Sequence, residues 1–131
     1  MDRIGIIGAG AWGTALAIVA HRAGRNVRIW AREADVVTAI NTAHANIPFL
    51  PGVSLAHEIR ATSDLGEAAK ADALVLVVPS QFLRATCEDL APHLNLSVPL
   101  VIGAKGVELA SGALMNEVVE QTLPERPFAV L

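Results

Sequence analysis

Cysteine is nearly absent from this 131-residue chain. Cys87 is the only one, so no internal disulfide can form, and a reducing compartment, the cytoplasm, is the expected setting. Charge is also sparse. Asp, Glu, Lys and Arg make up 18% of the residues, with a net charge of −3 and the two signs interspersed. No basic stripe or charge block points to nucleic acid or an anionic membrane as partner. Long apolar runs are missing too: blocks such as Ala73–Val78 fall far short of the about twenty residues that span a bilayer. No cationic segment followed by a long apolar stretch opens the chain, so neither a signal peptide nor membrane insertion is expected. His21, His44, His57 and His93 lack metal-ligand spacing, which leaves surface or capping roles and no expected metal site. There is no internal linker, repeat or low-complexity segment. Cys87 lies in a helix-like run without a local activator and reads as a small packing residue rather than a nucleophile.

Apolar residues are plentiful, at 53%, and their short blocks suit strands buried on both faces of a parallel sheet. The first block, Ile4 to Ile7, runs into Gly8, Gly10 and Gly13, spaced G-x-G-x-x-G, and then into the helix-prone run from Ala11. Alone that spacing is weak evidence. Between a strand and a helix, with a second strand about twenty residues on, it signals a dinucleotide-binding βαβ unit. Gly8 allows the tight turn, Gly10 lets a pyrophosphate approach the backbone, and Gly13 lets helix and strand pack closely. The helix then starts with free N–H groups and a positive dipole end facing the phosphates.

The rest of the chain continues the rhythm. Strands are expected at Arg3–Ile7, Asn26–Ala31, Ile59–Thr62, Ala73–Val78, Pro99–Ile102 and Pro127–Leu131. Helices are expected from Ala11 to Ala23 (with Gly24 as the stop), Ala34 to Thr42, Gln81 to Leu90 behind a Ser80 cap, and Ser111 to Thr122. A brief helix capped by Ser63 or Asp64, with Glu67 in a capping box, follows the third strand. The segment from Asn41 to Gly52 reads as an irregular surface loop, and long loops of this kind tend to be functional. These elements make one α/β domain over residues 1–131, a Rossmann-type, doubly wound, mostly parallel sheet with helices on both faces.

Candidate site residues collect at the strand ends. After the second strand come Ala31, Arg32 and Glu33. An NAD-preferring unit usually has an acid at this tip; Arg32 instead suits an adenosine 2′-phosphate, while Glu33 is placed to cap the next helix. NADPH is therefore favoured and NADH stays open, as does a plain solvated role for Arg32. Trp12 packs beneath the glycine loop or flanks the cofactor. Pro79 and Phe82 lie at the carboxyl edge of the sheet, where Phe82 walls a nicotinamide pocket or joins the core. Lys105, between Gly103 and Gly106, can hold an anion or polarise a carbonyl, or be an ordinary surface lysine.

Taken together, Gly8 to Ala17, Trp30 to Arg32, Asn41-Thr-x-His44-x-Asn46 with Leu50-Pro-Gly52, Val78 to Phe82 and Lys105-Gly106 resemble the N-terminal domain of bacterial-type NAD(P)-dependent glycerol-3-phosphate dehydrogenases. The resemblance covers essentially the whole chain. It implies reversible reduction of dihydroxyacetone phosphate by NAD(P)H to sn-glycerol 3-phosphate, a phospholipid precursor. It implies that Gly8, Gly10, Trp12 and Gly13 line the pyrophosphate loop, that Arg32 meets the adenosine ribose or its phosphate, and that Phe82 flanks the nicotinamide. Lys105 would touch both cofactor and substrate. Phe49 stands where relatives often carry tyrosine, and Ala11 where many carry serine, so one hydroxyl contact is lost at each. The family continues with an all-helical domain that carries the main proton donor. On that ground the chain is expected to be the N-terminal part of a longer protein, to bind cofactor and to turn over poorly. Apolar surface left uncovered would drive aggregation or homodimer formation. Two other readings stay open: a 6-phosphogluconate- or hydroxyacid-type dehydrogenase domain, and a non-catalytic NAD(P)-sensing module.

Overall fold

The computed structural model describes residues 1–131. Its elements are β1 (Arg3–Ile7), α1 (Ala11–Arg22), β2 (Asn26–Trp30), α2 (Ala34–Ala43), β3 (Ala45–Asn46), β4 (Leu50–Ser54), β5 (Arg60–Thr62), α3 (Leu65–Ala68), β6 (Ala73–Leu76), α4 (Leu83–Leu90), β7 (Leu100–Ile102), α5 (Met115–Thr122) and β8 (Phe128–Val130). Six strands form one parallel sheet in the order β5-β2-β1-β6-β7-β8. That order, with β1 at the centre and the chain turning back from β5 to β6, is the Rossmann-type doubly wound arrangement.

Successive strand residues point to opposite faces, and the apolar blocks fill both. Ile6 packs with Ala17, Val36 and Ile40 of α1 and α2, whereas Ile7 packs with Ala68, Leu83, Leu90 and Val118 of α3, α4 and α5. In β6, Leu74 and Leu76 join the second layer while Val75 borders the first. Each fully buried Ile or Leu contributes about 1.5–3 kcal/mol, so both layers are needed to hold the sheet. No helix is long and apolar enough to cross a membrane.

Four local expectations are corrected. The segment after α2 is not irregular: β3 and β4 pair as a small antiparallel ribbon. Pro51 and Gly52 sit within β4, which proline tolerates because the ribbon has a free edge. Ser80 does not cap a helix. Residues Ser80–Phe82 form a 3₁₀ turn, and the Ser80 hydroxyl accepts from Gln81 Nε2 instead. Asp64 caps α3 by accepting from the Glu67 N–H, but the Glu67 carboxylate is drawn to Arg28 and Thr62 rather than back to the cap. Finally, α5 starts at Met115 rather than Ser111. Ser111 donates its hydroxyl to Glu108, Gly112 has a φ of 74°, and Glu117 accepts from the Leu114 N–H at the true start.

Asn41 finishes the sheet edge. Its Nδ2 donates to the Ala61 carbonyl (2.9 Å) and its Oδ1 accepts from the Ala61 N–H (2.8 Å), so one side chain satisfies the outer peptide groups of the edge strand β5.

Candidate functional site

A cleft of about 760 Å³ opens at the carboxyl end of the sheet, where β1 and β6 lie side by side and their connections leave to opposite faces. Ligands bind at such a switch point in open α/β sheets. The cleft is lined by Gly8, Gly10, Ala11, Trp12, Gly13, Arg32, Glu33, Phe49, Pro79, Phe82 and Lys105, every one of the residues proposed from sequence.

The glycine turn forms its floor. Gly8 has a φ of +124°, outside the range that side-chain-bearing residues readily adopt. A Cβ on Gly13 would stand 2.0 Å from the Gly8 carbonyl oxygen, so the start of α1 presses directly on the turn. A Cβ on Gly10 would meet nothing within 4 Å, because this position faces open cleft. Gly10 is also the N-cap of α1. It supplies no side-chain cap, and no acid occupies the first turn. The first N–H groups of α1 are therefore left without intrahelical partners beside an open space, a setting that fits an anion.

Two arms flank that floor. Arg32 leaves β2 and lays its guanidinium over the Phe82 ring, 5.5 Å from the centroid. It forms no ion pair. Phe82 is half exposed, so it is a wall of the cleft rather than a core residue, and Trp12 is likewise half exposed at the cleft. Glu33 occupies the N-cap position of α2, but its side chain makes no capping hydrogen bond. Phe49 reaches the cleft from the turn between β3 and β4.

Lys105 lies on the connection after β7, and its ammonium donates to the Leu131 carbonyl. Gln81 holds this connection to the one after β6. Its Nε2 donates to the Val107 carbonyl (2.9 Å) and its Oε1 accepts from the Leu109 N–H (3.0 Å). Below it, Arg84 grips the largely buried Glu108 with both Nε and Nη2. That guanidinium first, and the Ser111 hydroxyl second, hold the Glu108 carboxyl below its ordinary range, and Glu108 in turn raises Arg84.

Cys87 is fully buried, and burial pushes its thiol up to about 11, which suits packing and not nucleophilic attack. His44 and His57, far apart in sequence, stack with centroids 3.8 Å apart. Sequence reasoning found Phe82 but missed the rest of its helix face. Ala85, Thr86 and Asp89 follow it in the cleft lining at the i, i+3, i+4, i+7 spacing of one helix side, a pattern already readable in the sequence. Gly103 and Ala104 were also missed. Both N–H groups bond the Leu76 carbonyl as the chain leaves β7, a meeting that needs the sheet to be assembled.

Comparison with known proteins adds a separate line. Residues 3–131 match the family model described as the N-terminus of NAD-dependent glycerol-3-phosphate dehydrogenase. The chain is 54% identical to a glycerol-3-phosphate dehydrogenase [NAD(P)+] of Paramagnetospirillum magneticum, over 100% of this chain and 48% of that protein. It is 52% identical to the enzyme of the same name in Rhodospirillum rubrum, over 100% of this chain and 38% of that one. The chain thus spans less than half the length of these curated relatives. Among solved structures, glycerol-3-phosphate dehydrogenase from Coxiella burnetii superposes with a TM-score of 0.91 at 33% identity, covering 98% of this chain and 40% of that one. A ketopantoate reductase from Ralstonia eutropha shares the fold at 22% identity and a TM-score of 0.69.

Proposed function

Because the chain belongs to the NAD-dependent glycerol-3-phosphate dehydrogenase family, matching its N-terminal part, we propose that residues 1–131 are the cofactor-binding domain of an enzyme that interconverts dihydroxyacetone phosphate and sn-glycerol 3-phosphate. The observation that carries this reading is the meeting of the open Gly10 position, the uncapped start of α1, and Arg32, Phe82 and Lys105 around one cleft.

These residues suit a dinucleotide. The N–H groups at Gly10 to Gly13 bind the pyrophosphate. Arg32, unpaired and braced on Phe82, receives the adenosine ribose and its 2′-phosphate, so NADPH binds more tightly than NADH. When bound, a reduced nicotinamide supplies the hydride that converts a ketone carbon to a secondary alcohol. Phe82 and Pro79 exclude water at that end of the cleft. Lys105 brings a positive charge to the substrate, either to its phosphate or to the carbonyl oxygen as negative charge builds there. The proton that completes the alcohol comes from a group outside residues 1–131, since general acid catalysis needs a positioned donor. A cytoplasmic setting and a role in supplying a phospholipid precursor follow from the same reading.

Calorimetric titration of the chain with NADH and NADPH tests it. Both bind, NADPH more tightly. Arg32→Ala weakens NADPH by about tenfold to a hundredfold, as expected for a lost charged contact, and NADH only slightly. Adding dihydroxyacetone phosphate leaves the nicotinamide absorbance unchanged. Failure to bind either dinucleotide overturns the reading.

A further inference from the structure

Asn46 belongs to the polar segment after α2, yet it is fully buried and does not line the cleft. Its Nδ2 donates to the Ala9 carbonyl and to Thr14 Oγ1, both at 2.8 Å. Thr14 is itself fully buried. One amide therefore spans both arms of the glycine turn, the peptide before Gly10 and the first turn of α1. The Ala9 carbonyl can only accept, which fixes the amide with Nδ2 toward it. Asn46 Oδ1 is left buried without a partner. The side chain is thus held by its Nδ2 contacts alone, and an apolar residue here would leave the Ala9 carbonyl without its donor.

Peptide geometry shows what the contact controls. In a planar trans peptide the C=O and the following N–H point in opposite directions. Holding the Ala9 carbonyl toward buried Asn46 therefore aims the Gly10 N–H the other way, away from Asn46, and Gly10 lines the cleft whereas Asn46 does not. Gly10, which bounds this peptide on its far side, has wide freedom in φ, so little besides Asn46 resists its rotation. Without Nδ2 the buried carbonyl is unsatisfied, and turning it to solvent would present an oxygen where phosphate oxygens belong.

We propose that Asn46, with Thr14, is a positioning pair that sets the polarity of the Ala9–Gly10 peptide for pyrophosphate binding. This rests on the dinucleotide reading above. The same contact couples the glycine turn to the ribbon that carries Phe49 into the cleft.

The test uses the 131-residue chain, NADH as the phosphate-bearing probe and adenosine as the phosphate-free one, with adenosine binding read from amide chemical shifts. Thr14→Val keeps the volume and removes the acceptor; Thr14→Ser keeps the acceptor and removes a methyl group. Asn46→Leu weakens NADH by about tenfold or more and Thr14→Val by about fivefold, while Thr14→Ser stays within about twofold of wild type. Adenosine affinity changes by less than about twofold throughout. Should Asn46→Leu fail to fold, the two Thr14 variants decide. If wild type binds NADH and Thr14→Val binds equally well, the pairing is refuted while the dinucleotide reading stands. A larger loss in Thr14→Ser than in Thr14→Val, or parallel losses of NADH and adenosine, indicates packing and also refutes it. If wild type does not bind NADH, both fall.

Discussion

Gly13 and Gly10 are three residues apart in one turn, but opposite constraints act on them. A methyl group on Gly13 collides with the Gly8 backbone and also meets Val77 Cγ2 at 2.9 Å, and the backbone cannot yield without reopening the turn. One on Gly10 meets nothing, and the backbone there (φ −69°) is open to any residue. Gly13→Ala should therefore lose about 2–4 kcal/mol of stability and all measurable NADH binding. Gly10→Ala should melt within a degree or two of wild type, since surface changes typically stay within about 0.5 kcal/mol, and still lose NADH. Paired thermal melts and titrations read both. Equal melting temperatures for the two variants would contradict the proposed division between packing and ligand approach. The spacing of Gly8, Gly10 and Gly13 already assigned ligand approach to Gly10 and packing to Gly13; what stands opposite each, Gly8 backbone at Gly13 and open space at Gly10, is visible only in the folded chain.

At the level of elements, the joints between strands and helices carry the polar anchoring. Asp72 precedes β6, and its Oδ2 accepts from the N–H groups of Asp2 and Arg3 while Oδ1 accepts from Arg3 Nη2. These bonds, with the Arg3 N–H contributing most, lower its carboxyl from 3.8 to about 2. A carboxyl lowered on folding stabilises above its unfolded value, and that contribution disappears as pH falls through the folded one. Chemical denaturation should thus show part of the stability lost between pH 3.8 and about 2. In Asp72→Asn that portion of the acid limb should flatten, with lower stability at neutral pH. An acid limb unchanged by the substitution would refute the assignment. Elements built on periodicity were visible in advance: Ile6 and Ile7 already divide between two helical layers. The boundaries that moved did so where a hydroxyl had rival partners. Ser111 went to Glu108 and Ser80 to Gln81; both rivals are near in sequence, but what holds them in place, Arg84 on Glu108 and the Val107 carbonyl on Gln81, lies more than twenty residues away.

The whole molecule leaves several large apolar side chains open to solvent. Leu109 is 84% exposed and Val130 65%, with Leu114 and Leu131 about half exposed. β8 ends the sheet, so its outer edge also presents unpaired peptide groups. Self-association through these side chains and this edge is the expected behaviour at high concentration. Sedimentation should show an average mass rising with protein concentration, and Leu109→Lys combined with Val130→Lys should suppress the rise. A constant monomer mass over a wide range would count against it.

From residue order alone came the alternation of strands and helices, the dinucleotide-type turn and the positions that would edge a cleft. Those features are local: a period of two or three to four residues, or glycines at fixed offsets, can be read without knowing what lies across the sheet. The tertiary structure decided the meetings. Arg32 rests on Phe82, Gln81 holds the Lys105 connection, and buried Asn46 holds the peptide before Gly10. Each joins residues tens of positions apart, brought together only because the parallel crossovers order the strands with β1 and β6 at the centre. Nothing in a local pattern encodes that adjacency; it follows from burying both faces of one sheet at once.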